Sequence, residues 1–245
     1  MSIPSQLLLP LALAAILIPN NPLAAADAAR SDQKARLAKL QPFIGVWKGV
    51  GQPKKNSTKD SWIEQADWAW KFQEQSAALA VKLDAGKYFS TAELQAGEQP
   101  DTFVLAAKSA DGKQELTYQG GLDKDEKLTL TATKTVDGLP TRLSFRLVAG
   151  GDRLVVLLER PSGIGDGYAR LAEIGYTRKG SGFGQGAQGP ECVVTGGYGS
   201  IEVMYKGQRY FVCCTGCRDY FNDKPEEVLA EYQARKAAEK AKKKE

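Results

Sequence analysis

The feature that most constrains this chain is an alternation of apolar and polar residues with a period of two, sustained from Phe43 to Arg178 with no helical pattern between the runs. Trp68, Trp70 and Phe72 alternate with Asp67, Ala69 and Lys71; Leu128 and Leu130 alternate with Thr129 and Thr131; Leu143, Phe145 and Leu147 alternate with Ser144 and Arg146. Each run reads as a half-buried strand. Turn signals separate them: Asp84-Ala85-Gly86, Asp111-Gly112, Asp123-Lys124-Asp125, Asp137-Gly138, Gly150-Gly151-Asp152 and Gly163-Ile164-Gly165-Asp166-Gly167. About ten strands joined this way make a single antiparallel meander, which must close or sandwich to hide its edges. The chain is therefore mainly β, and ten strands suffice for a barrel.

Composition narrows the chemistry. The 245 residues include no histidine, which removes Ser-His-Asp and Cys-His hydrolase arrangements, histidine-ligated haem and histidine-based zinc sites together. Residues 235–245 carry six basic and two acidic side chains and account for the whole formal net charge of +4. The remainder is neutral, with no electrostatic footprint for nucleic acid. The tail itself reads as a solvated helix end rather than a contact for anionic membrane.

Residues 1–26 carry no charged side chain and hold an apolar run from Leu7 to Ile18, then Pro19-Asn20-Asn21-Pro22 and Ala24-Ala25-Ala26. This reads as a secretory signal cut before Asp27, although no Lys or Arg precedes the apolar run. The run is too short for a stable membrane span, and no cysteine near the cut offers a lipoprotein anchor. The expectation is export to a periplasm or the medium. Residues 27–42, alanine-rich and charged with Leu37 and Leu40 three apart, suggest a short helix entering the first domain.

The strand region also carries a motif. Leu40-Gln41-Pro42-Phe43-Ile44-Gly45-Val46-Trp47-Lys48-Gly49-Val50-Gly51 resembles the first-strand signature of the calycin group, which includes lipocalins, fatty-acid-binding proteins and nitrobindin-like barrels; its Gly-x-Trp is Gly45-Val46-Trp47. The resemblance implies a calycin-like barrel over residues 43–179 whose Trp47 closes one end under an arginine of the last strand, here Arg178, through a cation–π contact. It does not carry over haem binding, since no histidine is present to hold iron. Trp68, Trp70 and Phe72 share a face of their strand, either as core filling or as the wall of a pocket for one small apolar ligand.

Lys179 to Pro190 contains five glycines and reads as a linker, residues 180–189, between two domains. Gly184-x-Gly186-x-x-Gly189 within it has the spacing of a dinucleotide fingerprint but lacks the strand and helix that would give it meaning. Asn56-Ser57-Thr58 matches a glycosylation sequon, relevant only to a eukaryotic source.

All four cysteines fall in the last quarter, as Cys192, Cys213, Cys214 and Cys217. Lys206-Gly207 between two β-rich triplets reads as a hairpin turn whose second strand delivers Cys213. Thr215-Gly216 then leads into a short helix with Cys217, Tyr220 and Phe221. Asp223 caps a last helix, with Pro225 in its first turn and Glu226 at the capping-box position. Such a hairpin and helix bring three sulfurs to one point. The basic side chains Lys206, Arg209 and Arg218 lie close enough in sequence to lower thiol pKa values.

Residues 190–234 resemble the TRASH/YHS family of small metal-binding modules, an α+β, treble-clef-like fold. The matching stretches are Tyr205-Lys206-Gly207 and Phe211-Val212-Cys213-Cys214-Thr215-Gly216-Cys217-Arg218-Asp219-Tyr220-Phe221. The resemblance implies a soft-metal ligand set of Cys192, Cys213 and Cys217, with Cys214 the uncertain fourth because alternation points it away. No second thiol follows Cys192, so three thiolates suit Cu(I) or a transferable ion better than a locked Zn(II), and recruitment of Cys214 reverses that preference. In an oxidising compartment the competing outcomes are structural disulfides or a redox dithiol.

Three functions follow as expectations. The first is an exported protein that senses, stores or transfers copper, zinc or another heavy metal, the barrel serving as scaffold or as a surface for a protein partner. The second is a carrier of a small apolar ligand in the barrel, with the cysteine module as an accessory fold. An enzyme has the least support, since no paired carboxylates or nucleophile elbow occur at motif spacing.

Overall fold

The computed structural model describes residues 22–163, 165–179, 190–196, 199–213 and 215–242. Residues 1–21 of the predicted 1–26 signal, the linker 180–189, Cys214 and the last three residues lie outside the described residues, and residues 22–26 of that signal fall in the first helix. Helix α1 (Pro22–Leu37) leads through a 3-10 turn (Ala38–Phe43) into ten strands. These are β1 (Gly45–Gln52), β2 (Trp62–Phe72), β3 (Ala77–Asp84), β4 (Phe89–Ala96), β5 (Thr102–Ser109), β6 (Glu115–Leu122), β7 (Leu128–Ala132), β8 (Arg142–Val148), β9 (Arg153–Pro161) and β10 (Tyr168–Arg178). Each pairs antiparallel with its neighbour in sequence, and β1 also pairs with β10, so the sheet closes into a barrel.

The alternation in the sequence is the alternation of the wall. Along β2, Glu64, Ala66, Trp68 and Trp70 are buried, while Ile63, Gln65 and Lys71 are exposed. Along β5, Phe103, Leu105, Ala107 and Ser109 face inward. Closure removes the free edges that a ten-stranded open sheet would present to other chains. On β1, Trp47 fills its inward position, whereas Gly49 and Gly51 leave theirs to larger rings from neighbouring strands. A Cβ at Gly49 would sit 2.4 Å from the Tyr176 ring, and one at Gly51 would sit 2.2 Å from the Trp62 ring. The glycines of the first strand are therefore spaces that these rings occupy.

One end of the barrel is plugged by the incoming chain. Leu37, Leu40 and Phe43 are buried there, and the Phe43 ring lies 5.9 Å from Trp68 and 6.0 Å from Phe145. Beside them the Arg178 guanidinium sits 4.1 Å above the Trp47 ring. Arg178 also donates to the carbonyls of Ile44 (2.6 Å), Pro42 (2.5 Å) and Gly151 (3.2 Å), and Trp47 Nε1 donates to Phe43 O at 2.8 Å. This one side chain ties both termini of the barrel to the loop between β8 and β9.

The C-terminal module consists of a hairpin, β11 (Ile201–Tyr205) and β12 (Gln208–Val212), and two helices, α2 (Thr215–Asp223) and α3 (Pro225–Lys242). Lys206 and Gly207 both take positive φ, 48° and 77°, the conformation of a two-residue type I′ turn. Glu226 turns toward this hairpin and accepts from Tyr205 Oη and Lys206 Nζ. No described helix is long and apolar enough to cross a membrane.

Candidate metal centre

Three segments converge on one point. Cys192 comes from the stretch before the hairpin, Cys213 follows the last residue of β12, and Cys217 lies in the first turn of α2. Their sulfurs all lie within 4.8 Å of one another, and Cys213 Sγ is 3.5 Å from Cys217 Sγ. None of the three is in a disulfide. Cys192 and Cys217 are 0% exposed and Cys213 is 8% exposed, so all three thiols are buried.

The segment carrying Cys192 is fixed from two sides. Val193 N–H donates to Phe211 O, which joins it to β12, and Gly196 N–H donates to Cys192 O, which closes a turn around the thiol. From α3, Arg235 Nη2 donates to the carbonyls of Cys192 (3.3 Å) and Val193 (3.2 Å), while its Nε holds Glu191 at 3.1 Å. Lys236 Nζ takes the other oxygen of Glu191 at 2.8 Å. Arg235 and Lys236, which the charge pattern assigned to a solvated tail, lie on a helix that packs back onto the cysteine loop.

Electrostatics within the cluster come chiefly from the thiols themselves. Hydrogen bonds from Cys213 and then Cys217 hold the Cys192 thiol well below its ordinary range, against burial, which alone would raise it. Thr195 Oγ1 stands 3.5 Å from Cys213 Sγ and adds a further polar contact. The basic residues that the sequence offered for this role are engaged elsewhere. Lys206 pairs with Glu226, Arg209 with Glu202 and Arg218 with Asp219, all at exposed positions. That expectation is corrected: local sequence proximity placed these charges on the outer surface of the hairpin and α2.

The predicted aromatic stripe divides along its length. Trp68 borders a cavity of about 50 Å³ in the barrel, whose other walls include Glu64, Tyr88, Phe145 and Tyr176. That volume is far below the roughly 300 Å³ of a small-molecule pocket, and Trp68 packs on Phe43 and Phe145 as core filling. Trp70 and Phe72 do not border the cavity. They stack on each other at 5.5 Å, and Phe72 meets Tyr220 of α2 at 4.5 Å.

Sequence reading missed two features of the site. Glu64, on the inward face of β2, is 4% exposed and accepts from Trp62 Nε1 (2.6 Å) and from Tyr176 Oη. Its inward position follows from its register with Trp68 and Trp70, which was the available signal. Arg30 of α1 is 6% exposed and joins three elements, donating to Glu74 O, Asp27 and Glu227 of α3, with its guanidinium 5.6 Å from the Tyr220 ring. No local pattern announces those partners.

Fold and site together define a closed ten-stranded antiparallel barrel with a small cysteine module docked on its plugged end, carrying a buried cluster of three thiols. No family model matches this chain, and no curated protein does. Among solved structures it is similar to Rv2717c from M. tuberculosis, with 18% identity over 59% of this chain and 97% of that chain and a TM-score of 0.39.

Proposed function

We propose that this chain is an exported soft-metal-binding protein whose C-terminal TRASH/YHS-like module holds Cu(I) or Zn(II) through Cys192, Cys213 and Cys217. The observation that carries the reading is the convergence of three buried sulfurs within 4.8 Å of one another. With metal–sulfur bonds of about 2.3 Å, sulfurs sharing one ion stand about 4 Å apart, so the spacing fits a single ion with little movement. The donor set is all sulfur, which selects soft ions over calcium or magnesium. Three thiolates favour trigonal Cu(I), and a fourth from Cys214 favours tetrahedral Zn(II). Storage, or transfer to a protein partner, is the role such a soft-ion site would serve. The barrel serves as the scaffold that docks α2.

The test is elemental analysis of the reduced, mature protein beside Cys192→Ser, Cys213→Ser and Cys217→Ser. One copper or zinc per chain, lost in each variant, is the expected result. Stoichiometric metal that survives replacement of all three residues would overturn the reading. Signal processing is read separately from the N-terminal sequence of protein recovered outside the cytoplasm, which should begin at Asp27.

A further inference from the structure

We propose that the metal site is gated by oxidation, through a reversible disulfide between Cys213 and Cys217 that leaves Cys192 as a thiol. The inference rests on the metal-binding reading of the same three residues and assigns its regulation.

Geometry selects this pair. Cys213 Sγ and Cys217 Sγ are already 3.5 Å apart, and a disulfide of about 2.05 Å needs them to approach by about 1.5 Å, within reach of side-chain rotation. They lie four residues apart at the junction of β12 and α2, so the closing ring is local. Cys192 sits on another segment, its backbone held by Arg235 and its own turn and its sulfur within 4.8 Å of the other two.

The oxidant is a disulfide, either of a low-molecular-weight thiol or exposed on another protein. The Cys213 thiol gives up its proton as its sulfur attacks one of the two disulfide sulfurs, breaks the S–S bond and expels the first thiolate. Cys217 sulfur then attacks Cys213 sulfur in the mixed disulfide and expels the second. Two electrons and two protons leave the pair, and the external disulfide is reduced to two thiols. Two of the three metal donors are consumed, so a bound ion is released, while a bound ion occupies the same sulfurs and slows the exchange. The module thus holds metal while reduced and gives it up when oxidised.

The test uses full-length protein carrying Cys214→Ser, so that thiol counts report on the triad alone. The reduced protein, metal-free and loaded with either Zn(II) or Cu(I), is treated with glutathione disulfide, followed by peptide mapping, thiol counting and metal analysis. The expected result is one intramolecular Cys213–Cys217 disulfide, one remaining thiol at Cys192, loss of at least nine-tenths of the metal, and recovery of binding on reduction. Loaded protein should react at least tenfold more slowly than metal-free protein. Cys192→Ser should still form the disulfide, and Cys217→Ser should stop at the mixed disulfide. A reduced protein that binds metal but forms no such disulfide, or forms it and keeps its metal, overturns the gate and leaves the metal reading intact. A reduced protein that binds neither metal overturns the metal reading, and the gate falls with it.

Discussion

The ring of Phe72, at the end of barrel strand β2, lies 4.5 Å from the ring of Tyr220, three residues beyond Cys217 on helix α2. Trp70 stacks behind Phe72, and Arg30 covers the Tyr220 ring from α1 while its guanidinium pairs with Glu227 of α3. A second pair, Lys34 with Glu231, repeats this link four residues along both helices. The helix that supplies one sulfur is thereby held by the barrel and by α1, which gives the barrel a part in shaping the site without lining it.

Removal of that contact should loosen the site from a distance. Phe72→Ala deletes a half-buried ring and its stacking, a loss of about 1–3 kcal/mol. Amide exchange across 215–223 is expected to quicken several-fold, with the barrel strands unchanged, and metal affinity to fall by about the same factor. Unchanged exchange in α2 would show that Phe72 fills space without holding the helix.

Arg178 is expected to contribute to stability at the plugged end beside the buried Trp47 and Phe43. Arg178→Ala removes donors from the carbonyls of Pro42, Ile44 and Gly151 and uncovers the Trp47 ring. Partly buried acceptors left unpaired give an expected loss of about 2–4 kcal/mol, read from the urea midpoint. Arg178→Lys should recover less than half, because one ammonium cannot span the carbonyls that a planar fork reaches. A midpoint unchanged in Arg178→Ala would assign closure to Leu40 and Phe43 alone.

The barrel was legible because its information is local. Inward and outward positions alternate along each strand, so Leu128, Leu130, Leu143 and Phe145 declared their burial by spacing, and turns such as Asp137-Gly138 declared the meander. The cysteines were legible by spacing too, since a strand end and a helix start four residues apart place Cys213 and Cys217 together. Contacts between Phe72 and Tyr220 or Arg235 and Cys192 were not. They join residues 148 and 43 positions apart, with no periodicity to connect them, and the same Arg235 reads as one more charge in a basic run. The cavity was illegible for a related reason, because its walls come from side chains of strands far apart in sequence, such as Trp68, Phe145 and Tyr176.

High pH should unfold the protein through its buried tyrosines. Burial raises the pKa of Tyr118, and burial with the adjacent Glu64 carboxylate raises that of Tyr176 well above its ordinary value near 10. The folded state therefore keeps protons that the unfolded chain releases near pH 10. The associated stability is intact below that pH and declines as pH climbs toward the folded values. Tyrosinate absorbance should show these two groups ionising only together with the loss of circular dichroism. Tyr118→Phe should flatten the alkaline decline while costing some stability at neutral pH through loss of the bond to Pro140 O. Ionisation of all nine tyrosines near pH 10 with the fold retained would contradict this.

Arg235 decides whether the end of α3 belongs to the cysteine cluster. Its guanidinium donates to the carbonyls of Cys192 and Val193 and to Glu191, and it also lies 5.4 Å from the Tyr232 ring of its own helix. Groups that orient metal ligands without touching the ion typically change affinity by about 10- to 100-fold when removed. Arg235→Ala is expected to weaken metal binding by about 10-fold in competition with a chelator, with helix content unchanged. Arg235→Lys should fall between, since an ammonium can reach one carbonyl but not both with Glu191. Lys240, exposed on the same helix, supplies the control, because Lys240→Ala removes the same charge from a position without these bonds. If both alanine variants bind metal like the parent, the basic residues are a solvated helix end, and the turn closed by Gly196 N–H on Cys192 O suffices to place the thiol.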